Sequence, residues 1–502
     1  MKVVFSQEQF LYGISKSPTV GRGFPRLDGV DLMRDLGYMS AGYGLERVLA
    51  SSITKAPYHL LLDNSNADGL GKSYLWGVAD DVIYKVDIET SPETLTMSAS
   101  TASGFNRGAL SYKGYLYVAS GDDIGRGLIS ATNSDAFAWT SSWLTNTIGE
   151  TTSDSSAPHP MIQMKDNMYR LDGRWIDKYD GTTYTKHALD LETGWVGISP
   201  EKWGEFMVIG AVKEPDSYSR YGTLPLLGRK KSRLFFWDTY SESWDKDRST
   251  EIDGRLVWVK NKKGVIYTLV QHKSGVFELG YFDGNTIQSL KKFNFRTWDD
   301  CSAIYEPAKD IMSNFIYFAI NSATTGFARI MAYGQYDGEM PNTLFNPYYI
   351  SPAIAKPSSI FSLKWAEGIN DAMYMGLYNE TAGKTGLYRV QAPWSSTGTP
   401  GTYNIETPNI SGEGKQMMKS IRINHKPLAS GDVLYLYRKI DNANWEGAIW
   451  ATTSYARHPD SVSFSIDEEF EFRDFQLKLV QPNGANIRIK DIVIESEDID
   501  EL

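Results

Sequence analysis

A loose unit of about 50 residues recurs along this chain, and that repeat restricts the fold more than any other feature. Each copy opens on a turn, continues into an aromatic-rich strand and returns through a second strand. Examples are "SYLWGVADDVIYKVD" from Ser73, "GYLYVASGDDIGRGLIS" from Gly114 and "NMYRLDGRWIDKYDG" from Asn167. Aligning Trp76, Tyr117, Tyr169, Met207, Tyr267, Tyr317 and Tyr374 yields seven copies. The copy at 255–293 offers four separate strands, "RLVWVK", "VIYTLV", "VFELGYFDG" and "TIQSLKKF". A four-stranded sheet cannot bury both faces alone, so such units must stack around an axis. The expectation is an all-β chain built on a roughly seven-bladed β-propeller. Amphipathic helical windows are scarce, as that reading requires.

The stretch Asn167–Gly181 poses a sharper question. Three aspartates, two tyrosines and a tryptophan in fifteen residues would suit an acidic, sugar-stacking site. Asp-Gly is also the preferred pair of a tight hairpin, because both residues tolerate positive φ. Asp180-Gly181 recurs as Asp283-Gly284 and Asp337-Gly338, each after an aromatic residue. A catalytic site is single, whereas this feature repeats, so Asp172-Gly173 and Asp180-Gly181 read as strand corners. Trp175, Trp237, Trp244 and Trp258 read likewise as wedges between blades rather than as sugar platforms.

Composition narrows the function. A formal charge of −10 argues against a dedicated nucleic-acid binder. Cys301 is the one cysteine, which removes any intrachain disulfide framework or cysteine-rich zinc site and suits synthesis in a reducing cytoplasm. The opening "MKVVFSQEQFLYG" lacks a signal-peptide core, and no apolar run approaches the roughly 20 residues of a transmembrane helix. A soluble protein, or a member of a soluble assembly, is expected.

Catalytic constellations are missing. There is no H-E-x-x-H, no G-x-S-x-G, no G-x-G-x-x-G opening a helix, and the six histidines are scattered. "NADGLGKS" (66–73) ends like a phosphate-binding loop, but lacks its first glycine and leads into a strand. "DNSNADG" (63–69) offers oxygen ligands without the bidentate Glu of a calcium loop. No enzyme activity, cofactor or metal is therefore expected. The basic run "GRKKSRL" supplies the candidate phosphate contacts Arg229, Lys230, Lys231 and Arg233, which could face a pore. A glycan-directed propeller is the rival reading. It needs two carboxylates about 5–10 Å apart, with Asp80/Asp81, Asp122/Asp123 and Asp299/Asp300 as candidates.

The ends differ from the middle. Residues 1–54 are rich in Gly, Pro and turn pairs and read as an irregular arm that closes the propeller or contacts neighbours, with the "VVF" at Val3 as a strand for the last blade. The propeller is assigned to 55–400, a linker to 401–418, an antiparallel β-sandwich to 419–496 and an acidic tail to 497–502. In the sandwich segment apolar residues alternate: Ile421 and Ile423; Val433, Tyr435 and Tyr437; Phe475, Leu477 and Leu479; Ile487, Ile489, Ile492 and Ile494. "PNGAN" (482–486) reads as a hairpin tip.

Three segments carry a resemblance. "GFPRLDGVDLMRDLGYMSAGYGLERV" before the first blade, "LISATNSDAFAWTSS" at 128–142 and "KPLASGDVLYLYRKIDNANW" at 426–445 resemble the β-propeller tail proteins of tailed bacteriophages, the nozzle and tail-tip class. The resemblance implies a virion structural protein of the phage tail, made in the host cytoplasm. Its implied partners are other tail proteins and further copies in a symmetric homo-oligomer, with transient contact to passing DNA and contact to a host surface glycan. Tail assembly, genome delivery or host attachment would be its role. An acidic chain would also suit a channel wall that does not hold DNA.

Overall fold

The computed structural model describes residues 1–5, 24, 26–28, 30–32, 39–41, 43–64, 69–101, 106–120, 123–144, 159–213, 231–272, 276–293, 308–321, 328–335, 342–348, 350, 358–369, 371–379, 381, 383–391, 401–428, 432–447, 450–451, 463–466, 469–482 and 485–499. Seven antiparallel four-stranded units make a β-propeller. Blades 1 to 6 span 59–100, 106–144, 161–190, 195–253, 255–293 and 309–348. Blade 7 takes three strands from 358–391 and its fourth, Glu46–Val48, from the arm. All seven aligned residues fall on second strands, between a first strand and a third. There, six of them are buried, and Tyr267 is half-buried. Tyr169, Leu171 and Ile176 of blade 3 share one apolar cluster with Met207, Phe235 and Trp237 of blade 4. Trp76 and Val78 of blade 1 meet Leu116 and Val118 of blade 2 in the same way. Aromatic wedges fill the widening gap between twisted sheets.

Where a blade must approach closer, the side chain disappears. A Cβ on Gly376, in the second strand of blade 7, would lie 1.9 Å from the Pro57 carbonyl oxygen. In blade 2 a Cβ on Gly127 would lie 2.4 Å from the Phe137 ring. That ring belongs to a single helical turn, Ser134–Phe137, capped by the Asn133 side chain, and it stacks on Trp76 and Trp139. The phrase "SATNSDAFAW" is thus a plug between blades 1 and 2.

Glu46–Val48 closes the ring by pairing Val48 with Leu387 and Glu46 with Arg389. The Arg389 guanidinium binds Glu46 with one nitrogen and Glu93 of blade 1 with the other. Tyr374 of blade 7 donates to Glu93 as well, at 2.9 Å. Closing strand, last blade and first blade therefore meet on one arginine. The strand at Val3 goes elsewhere: Val3 pairs with Ile494 of the C-terminal module, so it does not extend the last blade. Its alternation, with Val3 and Phe5 buried, matches the apolar face of that module.

The C-terminal strands form a two-layered module. Ile410–His425 pairs with Ile489–Asp498 on one side and with Ser463–Ile466 and Glu471–Gln481 on the other, while Tyr435–Ile440 flanks Glu471–Gln481. Residues 401–418 contribute Tyr403–Glu406 and the start of Ile410–His425, both within this sheet. The arm strand Arg26–Asp28 lies between Tyr403–Glu406 and Thr343–Tyr348, the outermost strand of blade 6. Blade 6 and the module consequently form one 13-stranded sheet, and a common apolar core runs through both.

Two details of the alternation differ from expectation. Leu434 and Leu436, not Val433, Tyr435 and Tyr437, face the core, and Lys478 covers the outward Tyr437 ring at 4.4 Å. Tyrosine tolerates a wet face, so aromatic character alone did not fix the parity. The break between Ile489 and Ile492 is a bulge, since His425 pairs with Ile489 but Asn424 with Asp491. Nor does 482–486 join two mutually paired strands, as a hairpin tip would. The strands it joins lie on opposite sides of Ile410–His425, and Gln481 holds the arch by accepting from the Ile487 N–H at 2.9 Å. Asn483 and Gly484 themselves lie outside the described residues, as does the Asp337-Gly338 pair.

Candidate functional site

The aspartates of Asn167–Gly181 divide into two kinds. Asp180 is a corner: its Oδ1 accepts the N–H groups of Thr182 and Thr183, both at 2.7 Å, which holds its carboxyl below the usual range. Asp283 repeats the arrangement with Asn285 and Thr286, and its pKa falls to about 2. The corner also receives a neighbour. Lys113 of blade 2, in the left-handed region at φ 45°, donates to the Asp180 carbonyl at 2.6 Å. Lys165 of blade 3 does the same to the Asp238 carbonyl at 3.1 Å. Repeated aspartates therefore latch blade to blade.

Asp172 and Asp177 differ from the corner reading. The hairpin turns on Gly173 and Arg174, because Asp172 still pairs with Trp175. Its side chain points inward, to a network that the sequence reading missed. Arg170 sits 2.8 Å from Asp177 and 3.3 Å from Asp172, with all three side chains at 3% exposure or less. Asp177 also accepts from the Tyr184 hydroxyl at 2.6 Å and the His187 N–H at 2.9 Å. His159 Nδ1 lies 3.6 Å from Asp172. Burial, with the Asp177 charge adding, holds the Tyr184 phenol far above its ordinary range. These carboxylates are locked to a guanidinium inside blade 3, where no substrate reaches them. The alternation Arg170, Asp172 along one face was the available signal.

The open chemistry lies on the propeller axis. First strands from all seven blades surround a cavity of about 850 Å³. Pairing each first strand with its aligned second-strand residue defines one ring of the wall: Leu61, Leu110 and Ile162 on blades 1–3, then Lys202, Lys260, Asp310 and Lys364 on blades 4–7. One half is apolar and the other charged. Lys260 lies 3.3 Å from Glu201, and Lys364 lies 3.3 Å from Asp310. Lys309 is buried, with its amine 3.3 Å from Ser199 Oγ. Lys263 donates to Asn314 Oδ1 at 2.6 Å, and burial beside it lowers Lys262 to about 8. Among the described residues five lysines and two acids line this wall, the reverse of the chain's net charge.

Lys231 and Arg233, the described cations of the basic run, lie away from the axis. Lys231 and Arg233 are on the third strand of blade 4, facing Glu251 of the fourth; Arg233 also stacks over the Trp195 ring at 4.9 Å. Arg229 and Lys230 lie outside the described residues, as do Asp122, Asp299, Asp300 and Cys301. Asp81 pairs with Lys55, and Asp123 accepts from Ser142 at 2.6 Å. Lys72, at the end of "NADGLGKS", pairs with Asp87 at 2.5 Å and leads directly into a strand. Among the described residues no cluster of three or more His, Cys, Asp or Glu could hold a metal ion. No helix among them is long and apolar enough to cross a membrane. Trp237 meets Tyr169 edge-on at 5.6 Å and Trp258 meets Phe318 at 5.4 Å, both between blades. Trp175 instead stacks on His187 at 4.1 Å.

No protein-family model matches the chain, and no curated protein matches it in sequence. Several solved structures align with it. The N-terminal domain of Nup159 does so at 9% identity and a TM-score of 0.39, over 75% of this chain and 99% of its own. BamB from Moraxella catarrhalis aligns at 10% identity and 0.36, over 77% and 98%. An exo-β-1,3-galactanase from Phanerochaete chrysosporium, in complex with β-1,3-galactotriose, aligns at 9% and 0.29, over 67% and 95%. Likenesses this distant assign no function. The sheet order itself establishes a seven-bladed β-propeller joined to a C-terminal β-sandwich.

Proposed function

We propose that this chain is a structural component of a bacteriophage tail, acting as a nozzle, hub or tip protein in a symmetric homo-oligomer with other tail proteins. The observation that carries the reading is the single 13-stranded sheet joining blade 6, the arm and the sandwich. A body welded by backbone hydrogen bonds transmits force without a hinge, which suits a tail under load during genome delivery. The three resembling segments fall at the structural joints: the closing arm, the plug between blades 1 and 2, and the sandwich. The described carboxylates engaged by lysine, arginine or backbone partners favour scaffold over enzyme. Immunogold electron microscopy on virions of the source phage tests it. Label at the tail is expected; particles unlabelled both intact and after gentle tail disruption would refute it.

A glycan-directed propeller is the second reading, favoured by the axial cavity with its mixed wall. Saturable binding on a glycan array, together with unlabelled virions, would select it.

A further inference from the structure

We infer that the axial channel binds an amphipathic organic anion, a molecule with a carboxylate, sulfonate or phosphate head and an apolar body. The wall is not mixed at random. Leu61, Leu110 and Ile162 occupy three successive blades, and lysines occupy three of the remaining four at the same level. An apolar strip opposite a cationic strip matches one molecule that has both characters.

Charge gives the sign of the head. Within the wall, Glu201 and Asp310 each lie 3.3 Å from a lysine of their own, and among the described lining residues lysine outnumbers acid. This occurs in a chain of net charge −10, so the positive channel is a local feature against an opposing field. A narrow cleft with low-dielectric walls concentrates that potential on its axis. Lys202 and Lys263 mark the head end. They sit at adjacent hairpins of blades 4 and 5, tied together by Asn261 donating to the Lys202 carbonyl and Trp203 Nε1 donating to the Gly264 carbonyl at 2.8 Å. The apolar body would lie along blades 1–3. About 850 Å³ falls within the roughly 300–1,000 Å³ range of small-molecule sites. This inference does not depend on the tail reading.

The test uses the full chain and three probes in titration calorimetry. Dodecanoate carries both characters, dodecyltrimethylammonium has the same body with opposite charge, and acetate has the head alone. Saturable one-to-one binding of dodecanoate is expected, with neither control binding over the same concentrations. Lys202→Gln combined with Lys263→Gln, two exposed positions, should weaken dodecanoate by about tenfold or more at unchanged thermal midpoint. Equal binding of the cationic analogue, no saturable binding of dodecanoate, or undiminished affinity in the double variant would each overturn the inference.

Discussion

Arg170 shows how one side chain can decide a sheet's interior. It compensates two carboxylates at 3% exposure or less, so its removal leaves buried charge behind. Arg170→Met should cost about 3–5 kcal/mol in chemical denaturation. A loss under about 1 kcal/mol would mean that the network is wetter than described. Lys262, whose amine donates to the Asn314 carbonyl beside the axial Lys263, tests the effect of burial on a lysine. Its folded pKa is about 8 against an ordinary 10.5, lowered first by burial and then by Lys263. Between those values the unfolded chain holds the extra proton, so this group makes stability rise with pH there and has no slope below about 8. Nuclear magnetic resonance of methyl-labelled lysines should show one amine titrating near pH 8. Lys263→Gln should move that midpoint upward, and an unmoved midpoint would exclude the like-charge contribution. The lysine wall carried no sequence signal, and the arginine network carried only the alternation of Arg170 and Asp172. Asp172 and Asp180 each precede glycine, and only tertiary placement separates a buried ion pair from a turn cap.

Second strands were legible because one physical demand repeats seven times: each must fill a wedge between sheets. Corner aspartates were legible for the same reason. Strand parity in the C-terminal module was less so, since tyrosine at 435 and 437 satisfies an outward position as readily as an inward one. The closing strand was hidden by its brevity. "ERV" carries no period, and its identity comes from blade 7 lacking an outer edge. Because Glu46–Val48 and Lys2–Phe5 are both held by ladders, cutting the chain in the exposed turn at Ala50–Ser52 should not release the arm. A protease site placed there should yield two fragments that co-elute in native gel filtration and separate in denaturant. Separation under native conditions would show that the closure is weak.

Across the whole molecule, the boundary between propeller and sandwich was read from composition, where turn formers cluster near 401–413. Tyr403 and Ile405 of that segment are fully buried in the shared sheet. Composition marks where the chain bends, not whether the two sides share a core. Calorimetry of the full chain should therefore give one cooperative unfolding transition rather than two. Two resolved transitions would mean that the blade 6 junction does not couple them.

The closing strand also sets a clock. Residues 46–48 leave the ribosome early, yet their partners at 387–389 follow some 340 residues later. At about 5–20 residues per second that is a wait of roughly 17–70 s. Until then the nascent ring stands open at both edges, and cellular holdases would find their targets in that interval.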